Sequence, residues 1–250
     1  MKFVRFQYND TITYGLLENG TVRPVEGDPF SEYKPTGKGI PMNSVRLLAP
    51  CEPSKIVAVG VNYRDHAAEF KKELPKEPLL FLKPSTAVLD PMEPIRLPTR
   101  SRRVDYEAEL AVVIKKRAVK ISPEEAPEFV LGYTCINDVT ARDLQKEDGQ
   151  WTRAKGFDTF APLGPWIVTD LDPGRLKIES YLNGERRQSA STAQLIFNVP
   201  ALVSFISQVM TLLPGDVIAT GTPAGVGAMK SGDRIEIVID GIGRLANPVQ

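Results

Sequence analysis

Cysteine, histidine and net charge are all scarce in this sequence, and each scarcity narrows what the chain can do. Cys51 and Cys135 are its two cysteines. They form no CxxC pair, so neither a disulfide framework nor a thiolate zinc site is expected, and both read as buried free thiols. His66 is the single histidine, which excludes HExxH proteases, three-histidine zinc sites and paired-histidine iron sites. Any metal must therefore sit mainly on oxygen. The 31 basic residues cancel the 31 acidic ones, leaving no basic field for nucleic acid or for an anionic membrane surface. No apolar run approaches a membrane span, and MKFVRFQYND at the N-terminus lacks the apolar segment of a signal peptide, so a cytoplasmic location is the default. GxSxG and GxGxxG are missing too, and GVGAMKSGD carries its Gly-Lys-Ser in the wrong order for a phosphate loop.

What is present is enough apolar material for a full core: 250 residues, 42% of them hydrophobic, a length that suits one large domain or a small domain plus a larger one. Residues 2 to 26 read as a small antiparallel meander with a tight Asn19-Gly20 turn. A Pro- and Gly-scattered stretch from 27 to 54 follows, which places a boundary near 50 and divides the chain into a small N-terminal β domain (1–50) and a larger domain (51–250). Strand-like runs then recur at 55 to 60, 79 to 83, 104 to 115, 129 to 136, 165 to 169, 175 to 183, 216 to 220 and 233 to 239. Helices are few. The clearest starts at Asn198 and Pro200, keeps Leu202, Val203, Ile206, Val209 and Met210 on helical spacing, and ends at Pro214-Gly215. A shorter one is expected from Ser122, where Glu125 completes a capping box. The fold class is mainly β (α+β), with a few packed helices.

VDYEAELAVVI, Val104 to Ile114, is an unusual strand. Alternation puts Asp105, Glu107, Glu109, Ala111 and Val113 on one face and Val104, Tyr106, Ala108, Leu110, Val112 and Ile114 on the other, so both faces turn apolar and the carboxylates approach a covered region. One explanation is an acidic sheet margin paired with Arg102 or Arg103. The other is a cation site: Glu107 and Glu109 project in parallel, and Asp138, in GYTCINDVTARD, offers a third carboxylate unless it merely caps a helix. Three carboxylates, with water completing six oxygens, suit Mg²⁺ or Mn²⁺ and leave positions for a substrate. His66 has Glu69 three residues later, the pairing of a general base for water or simply a structural contact. Lys155, in QWTRAKGFDTFAPLGPW, is a surface lysine or an amine for a substrate carboxylate. Phe157, Phe160 and Trp166 suit the core. The glycines of Gly221-Thr-Pro-Ala-Gly-Val-Gly permit close backbone approach, to a ligand or within a tight turn.

Taken in order, GVNYRDHAAE, FLKPS, VDYEAELAVVI, GYTCINDVTARDLQ, WTRAKGFDTFAPLGPWI, LNGERRQ and TLLPGDVIATGTPAGVG resemble the fumarylacetoacetate hydrolase family in its shorter bacterial form. The resemblance implies a mixed β-roll core, a homodimer, and Mg²⁺ or Mn²⁺ held by Glu107, Glu109 and Asp138. It further implies that His66 and Glu69 activate water from a lid near 65 to 76, that Lys155 is the active-site lysine, and that Gln145 and Thr222 contact the substrate. Two departures stand out: Lys115 replaces a glycine common after the long strand, and Val61 stands where acylpyruvate hydrolases often carry arginine. The expected substrate is a small 2-oxo or 2,4-dioxo acid, and the expected reaction is hydrolytic or decarboxylating carbon-carbon cleavage through an enolate stabilised by the cation. The alternatives are a 2-hydroxyhepta-2,4-diene-1,7-dioate isomerase or keto-enol tautomerase, and, in another class, a non-catalytic cation-stabilised binding protein.

Overall fold

The computed structural model describes residues 1–65 and 74–250. It is mainly β, and its architecture follows from which strands are apolar on both faces. Ala108–Ile114 is buried along its whole length, so it needs cover on both sides and lies inside the large sheet rather than at its margin. It pairs antiparallel with Val130–Asn137 on one side and with Val217–Ala219 on the other. Beyond Val217–Ala219 come the parallel strand Ile56–Gly60 and then the edge strand Leu79–Lys83.

The sheet extends the other way through Ala161–Val168 into the N-terminal meander, whose first strand, Lys2–Tyr8, pairs Lys2 with Val168 and Phe3 with Ile167. That meander, Lys2–Tyr8, Thr11–Glu18 and Thr21–Gly27, is antiparallel. Its second turn places Asn19 and Gly20 at positive φ, the conformation an Asn-Gly hairpin turn requires. Phe3, Leu16 and Val25 pack in one apolar cluster with Ile56, Ala111 and Val113, so residues 1–50 share a core with the rest of the chain.

A second sheet covers the other face. It runs Glu185–Ser191, Lys177–Leu182, Arg234–Ile239, Gly243–Pro248. Ile178, Ile235, Ile237 and Leu245 join Val104, Tyr106, Leu110 and Val112 in the largest apolar cluster. The helix Val199–Val209 packs there through Leu202, Val203 and Ile206, and the Asn198 side chain caps it by accepting from the Ala201 amide. It stops at Met210, a turn before Pro214-Gly215, because Leu212 leaves to exchange backbone hydrogen bonds with Ala118.

The helix expected at Ser122 is a turn followed by the 3₁₀ segment Ala126–Phe129. The reciprocal Ser122–Glu125 bonds do form, at 2.8 and 3.3 Å. Pro127, which has no N–H to donate, then leaves the turn without an α-helical continuation. Two short helices that sequence spacing did not single out, Arg142–Asp148 and Thr152–Lys155, follow the strand ending at Asn137.

Candidate metal centre

The long acidic segment breaks where its chemistry begins. Val104–Tyr106 pairs with Thr140–Ala141 and Gly227–Met229, whereas Ala108–Ile114 belongs to the large sheet, and Glu107 sits at the junction. The main chain there is held in other ways: the Glu107 amide donates to Asn137 Oδ1 at 2.9 Å, and the Asp138 amide donates to the Glu107 carbonyl at 2.9 Å. These two bonds bring Asp138 against the E-x-E pair. Carboxylate oxygens of Glu107, Glu109 and Asp138 lie within 4.8 Å of one another, and all three residues are buried.

The two readings of the acidic strand fall on different residues: Asp105 takes the expected Arg103 pairing, and Glu107 and Glu109 belong to a group that could hold a cation. Asp105 is held between arginines, Arg103 Nε at 2.9 Å and Arg142 Nε at 2.9 Å. Glu107 and Glu109 turn to the centre. Asp138 caps no helix; the Arg142–Asp148 helix starts after Ala141 without a side-chain cap.

Four carboxylates at close quarters need cations, and the protein supplies them. Lys155 Nζ bridges Glu107 Oε2 at 2.9 Å and Asp138 Oδ2 at 2.6 Å. Arg142 Nη2 reaches Glu107 Oε1 at 2.5 Å. Lys83, fully buried at the end of the edge strand, donates to Asp138 Oδ1 at 2.6 Å and to the Val139 carbonyl at 3.1 Å. The two lysines respond oppositely. Burial works against both ammonium groups, but Asp138 and Glu107 outweigh it at Lys155 and raise its pKa, whereas at Lys83 burial prevails over Asp138 and the pKa falls.

Glu109 is the least compensated acid. Burial, then the charges of Asp138 and Glu107, push its pKa well above the ordinary carboxylate value, and Lys155 and the Gly221 amide offset only part of this. That amide donates to Glu109 Oε2 at 2.7 Å. It comes so close because Gly221 has φ +101 and no side chain; a Cβ there would lie 2.7 Å from the Asn62 Cβ. The glycine-rich loop thus approaches the protein's own Asn62, and the approach aims a backbone donor at the triad. An oxygen-only donor set in which Glu109 has no ion-pair partner among the described residues fits a hard divalent cation such as Mg²⁺ or Mn²⁺.

Lys155, Gln145 and Thr222 line the same cleft as the triad. Gln145 Oε1 accepts from Arg142 Nη1 at 2.8 Å. The apolar part of the lining is Val59, Val61, Phe81 and Trp151. Phe81 meets Trp151 edge-on at 5.2 Å and lies under Lys155 Nζ at 4.9 Å. Val61 holds φ +55, a strained conformation for a β-branched residue. His66 and Glu69, and most of the expected lid, lie outside the described residues. Phe160 is fully buried, as core packing requires, and Trp166 is partly buried with its indole N–H on the Ile242 carbonyl. Cys51 and Cys135 are buried free thiols. Among the described residues no helix is long and apolar enough to cross a membrane.

Sequence reading missed Lys83 and Arg142. Lys83 had one signal, a lysine closing the apolar run Leu79-Leu-Phe-Leu directly before Pro84. Arg142 sits beside the Asp of VTARD, where an exposed ion pair is the ordinary expectation.

Comparison with known proteins matches residues 55–250 to the family model described as fumarylacetoacetate (FAA) hydrolase C-terminal, and residues 1–50 to one described as Rv2993c-like, N-terminal. The chain is 44% identical to the mitochondrial oxaloacetate tautomerase fahd2 of Xenopus laevis, over 83% of this chain and 69% of that protein. The crystal structure of a 2-hydroxyhepta-2,4-diene-1,7-dioate isomerase from Mycobacterium marinum has a TM-score of 0.93 at 47% identity, covering 100% of this chain and 98% of the other. A maleylpyruvate hydrolase from Sphingobium sp. SYK-6, in complex with manganese(II) and pyruvate, has a TM-score of 0.83 at 32% identity, covering 100% and 98%.

Proposed function

The chain belongs to the fumarylacetoacetate hydrolase family, and from that premise we propose that it is a divalent-cation-dependent enzyme cleaving a carbon-carbon bond in small 2-oxo acids. The substrate is an acylpyruvate-like 2,4-dioxo acid, opened by water, or an oxaloacetate-like acid, which loses CO₂; both routes pass through an enolate. One observation carries the reading: three buried carboxylates within 4.8 Å of one another form a wall of a cleft that also presents Lys155, Gln145 and Thr222.

Mg²⁺ or Mn²⁺ on Glu107, Glu109 and Asp138 supplies Lewis acidity towards the 2-oxo group of the acid. The chain's own residues do the rest. Lys155 sets a fixed positive charge beside the triad, where negative charge develops as the bond breaks. Gln145 and Thr222 bind and orient the acid. The apolar wall of Val59, Val61, Phe81 and Trp151 faces the remainder of the substrate and keeps water from it. His66 and Glu69, assigned on sequence grounds, prepare the water that hydrolysis needs.

Keto-enol isomerisation is the second reading. It passes through an enolate of the intact substrate, formed by loss of a carbon-bound proton rather than by bond cleavage, needs no water, and is favoured by the isomerase and tautomerase names of two close relatives. Incubation of the Mg²⁺-loaded protein with an acylpyruvate, oxaloacetate and a 2-hydroxy-dienedioate, followed by proton NMR, separates the readings. Pyruvate from either of the first two is the expected result. Isomerised product with its carbon skeleton intact supports the second reading, especially if His66→Ala keeps most of the activity. Turnover of none of them overturns catalysis and leaves a cation-stabilised binding protein.

A further inference from the structure

Gln188 closes the LNGERRQ segment and is 1% exposed. Its Oε1 accepts the Ala108 amide proton at 3.1 Å, and its Nε2 donates both to the Pro223 carbonyl at 2.8 Å and to Thr222 Oγ1 at 2.8 Å. These roles cannot be exchanged. The Ala108 amide only donates and the Pro223 carbonyl only accepts, so the orientation of the Gln188 amide is fixed by its surroundings. The Thr222 hydroxyl therefore accepts from Gln188. A hydroxyl that accepts still has its own proton to give, and among the described residues no acceptor takes it. Thr222 is 3% exposed and lines the cleft beside the triad.

We propose that Gln188 is a positioning residue that makes Thr222 a hydrogen-bond donor towards the carboxylate of a bound 2-oxo acid. The proposal rests on the reading of the cleft given above. The loop carrying Thr222 is held at its other end as well: Thr220 Oγ1 donates to the Leu110 carbonyl at 2.9 Å, and Asn62 Nδ2 donates to the Thr220 carbonyl at 2.7 Å. With the main chain pinned on both sides, the direction of one hydroxyl proton is what Gln188 decides. An anionic oxygen gains most from such a donor, because a charge-assisted bond is about twice as strong as a neutral one. Gln188 also bonds the amide next to Glu107, so acid binding and the break in the acidic strand are held by the same side chain.

The test is calorimetric titration of oxalate into Mn²⁺-loaded protein. Thr222→Val keeps the shape and removes the donor; Thr222→Ser keeps the donor. Gln188→Glu replaces the donating amide with a group that accepts, and turns the Thr222 proton away from the cleft. Wild type and Thr222→Ser are expected to bind oxalate alike. Thr222→Val and Gln188→Glu should each bind it about tenfold more weakly or worse, with Mn²⁺ affinity of Thr222→Val unchanged and its melting temperature lowered only modestly, by the loss of the one bond it accepts from Gln188. Adding Gln188→Glu to Thr222→Val should cost little more, because both remove the same bond. Wild-type affinity in Thr222→Val overturns the donor role, and fully additive losses overturn the action of Gln188 through Thr222. Should Gln188→Glu fail to fold, the two Thr222 variants still decide the donor. Failure of the Mn²⁺-loaded wild type to bind oxalate instead overturns the reading of the cleft, and this inference with it.

Discussion

Two glutamates on two sheets, Glu109 at the acidic centre and Glu179 on the C-terminal sheet, are both buried and behave in opposite ways. Glu179 is 8% exposed, and burial alone would raise its pKa. Hydrogen bonds from Lys177 and Tyr181, the Lys177 charge and a bond from Arg186 outweigh that and bring it below the usual range. Lys177 Nζ lies at 2.9 Å, Tyr181 Oη at 3.1 Å and Arg186 Nη1 at 3.2 Å. Glu109 accepts one hydrogen bond from the described residues, from the Gly221 amide, and faces two other carboxylates. Its pKa goes up. Glu109 lies deeper, at 1% exposed, so burial weighs more on it, and the two also differ in whether an ion-pair partner is at hand. On the outer sheet one is. At the centre Lys155, Lys83 and Arg142 serve Glu107 and Asp138, Glu109 is left with a backbone amide alone among the described residues, and that local deficit is what a cation would make good.

The sharpest way to break the comparison is to enlarge the deficit. Lys83→Met removes one of the two ammonium groups on Asp138 and leaves a buried carboxylate half-compensated. Breaking a buried pair from one side costs about 3–5 kcal/mol. Urea unfolding of the cation-free protein measures this, and a loss under 1 kcal/mol would mean that the Lys83 ammonium contributes little to holding Asp138.

Reducing the deficit should do the reverse. Glu109→Gln keeps an acceptor for the Gly221 amide and deletes the least compensated charge. In cation-free protein at pH 8 it should stabilise the fold by roughly 1–3 kcal/mol while Mn²⁺ affinity falls steeply. The sign follows from the raised pKa. Folded protein binds that proton more tightly than unfolded chain, so stability is lost as pH rises above the ordinary carboxylate value, and glutamine cannot lose it. A destabilised Glu109→Gln protein would show that the carboxylate is already satisfied.

The acidic face of the centre was legible in the sequence, the Glu179 cluster was not, and the limits are physical. Period-two alternation in VDYEAELAVVI states which side chains share a face, and that face holds the acids. Asn19-Gly20 and Asn198 are local signals, a turn needing positive φ and a helix cap, and local signals survive in a single sequence. Lys83 and Asp138 are 55 residues apart. Nothing local joins them; their meeting depends on where the edge strand Leu79–Lys83 runs relative to the strand ending at Asn137. The same holds for Gln188, whose three bonds reach Ala108, Thr222 and Pro223. Ser122 failed in the other direction, since a correct capping box was overruled by Pro127.

The smallest effect belongs to the finished charge. Glu179→Gln on the outer sheet loses its ion pairs with Lys177 and Arg186, but both partners have half-exposed side chains, at 49% and 56%, so water takes over much of their solvation. The cost should stay within about 1 kcal/mol at neutral pH. It should shrink further in 1 M salt, where screening reaches within roughly 3 Å. The pH dependence runs opposite to that at the centre: a lowered carboxylate pKa gives stability that is full above the unfolded value and lost as pH falls through the folded one, so wild type and variant should converge in acid. Thermal melts of the pair at pH 7 and pH 3 measure this. A gap that persists at pH 3 would show that Glu179 acts through packing rather than charge, and the two glutamates would then differ in kind and not only in how far they are neutralised.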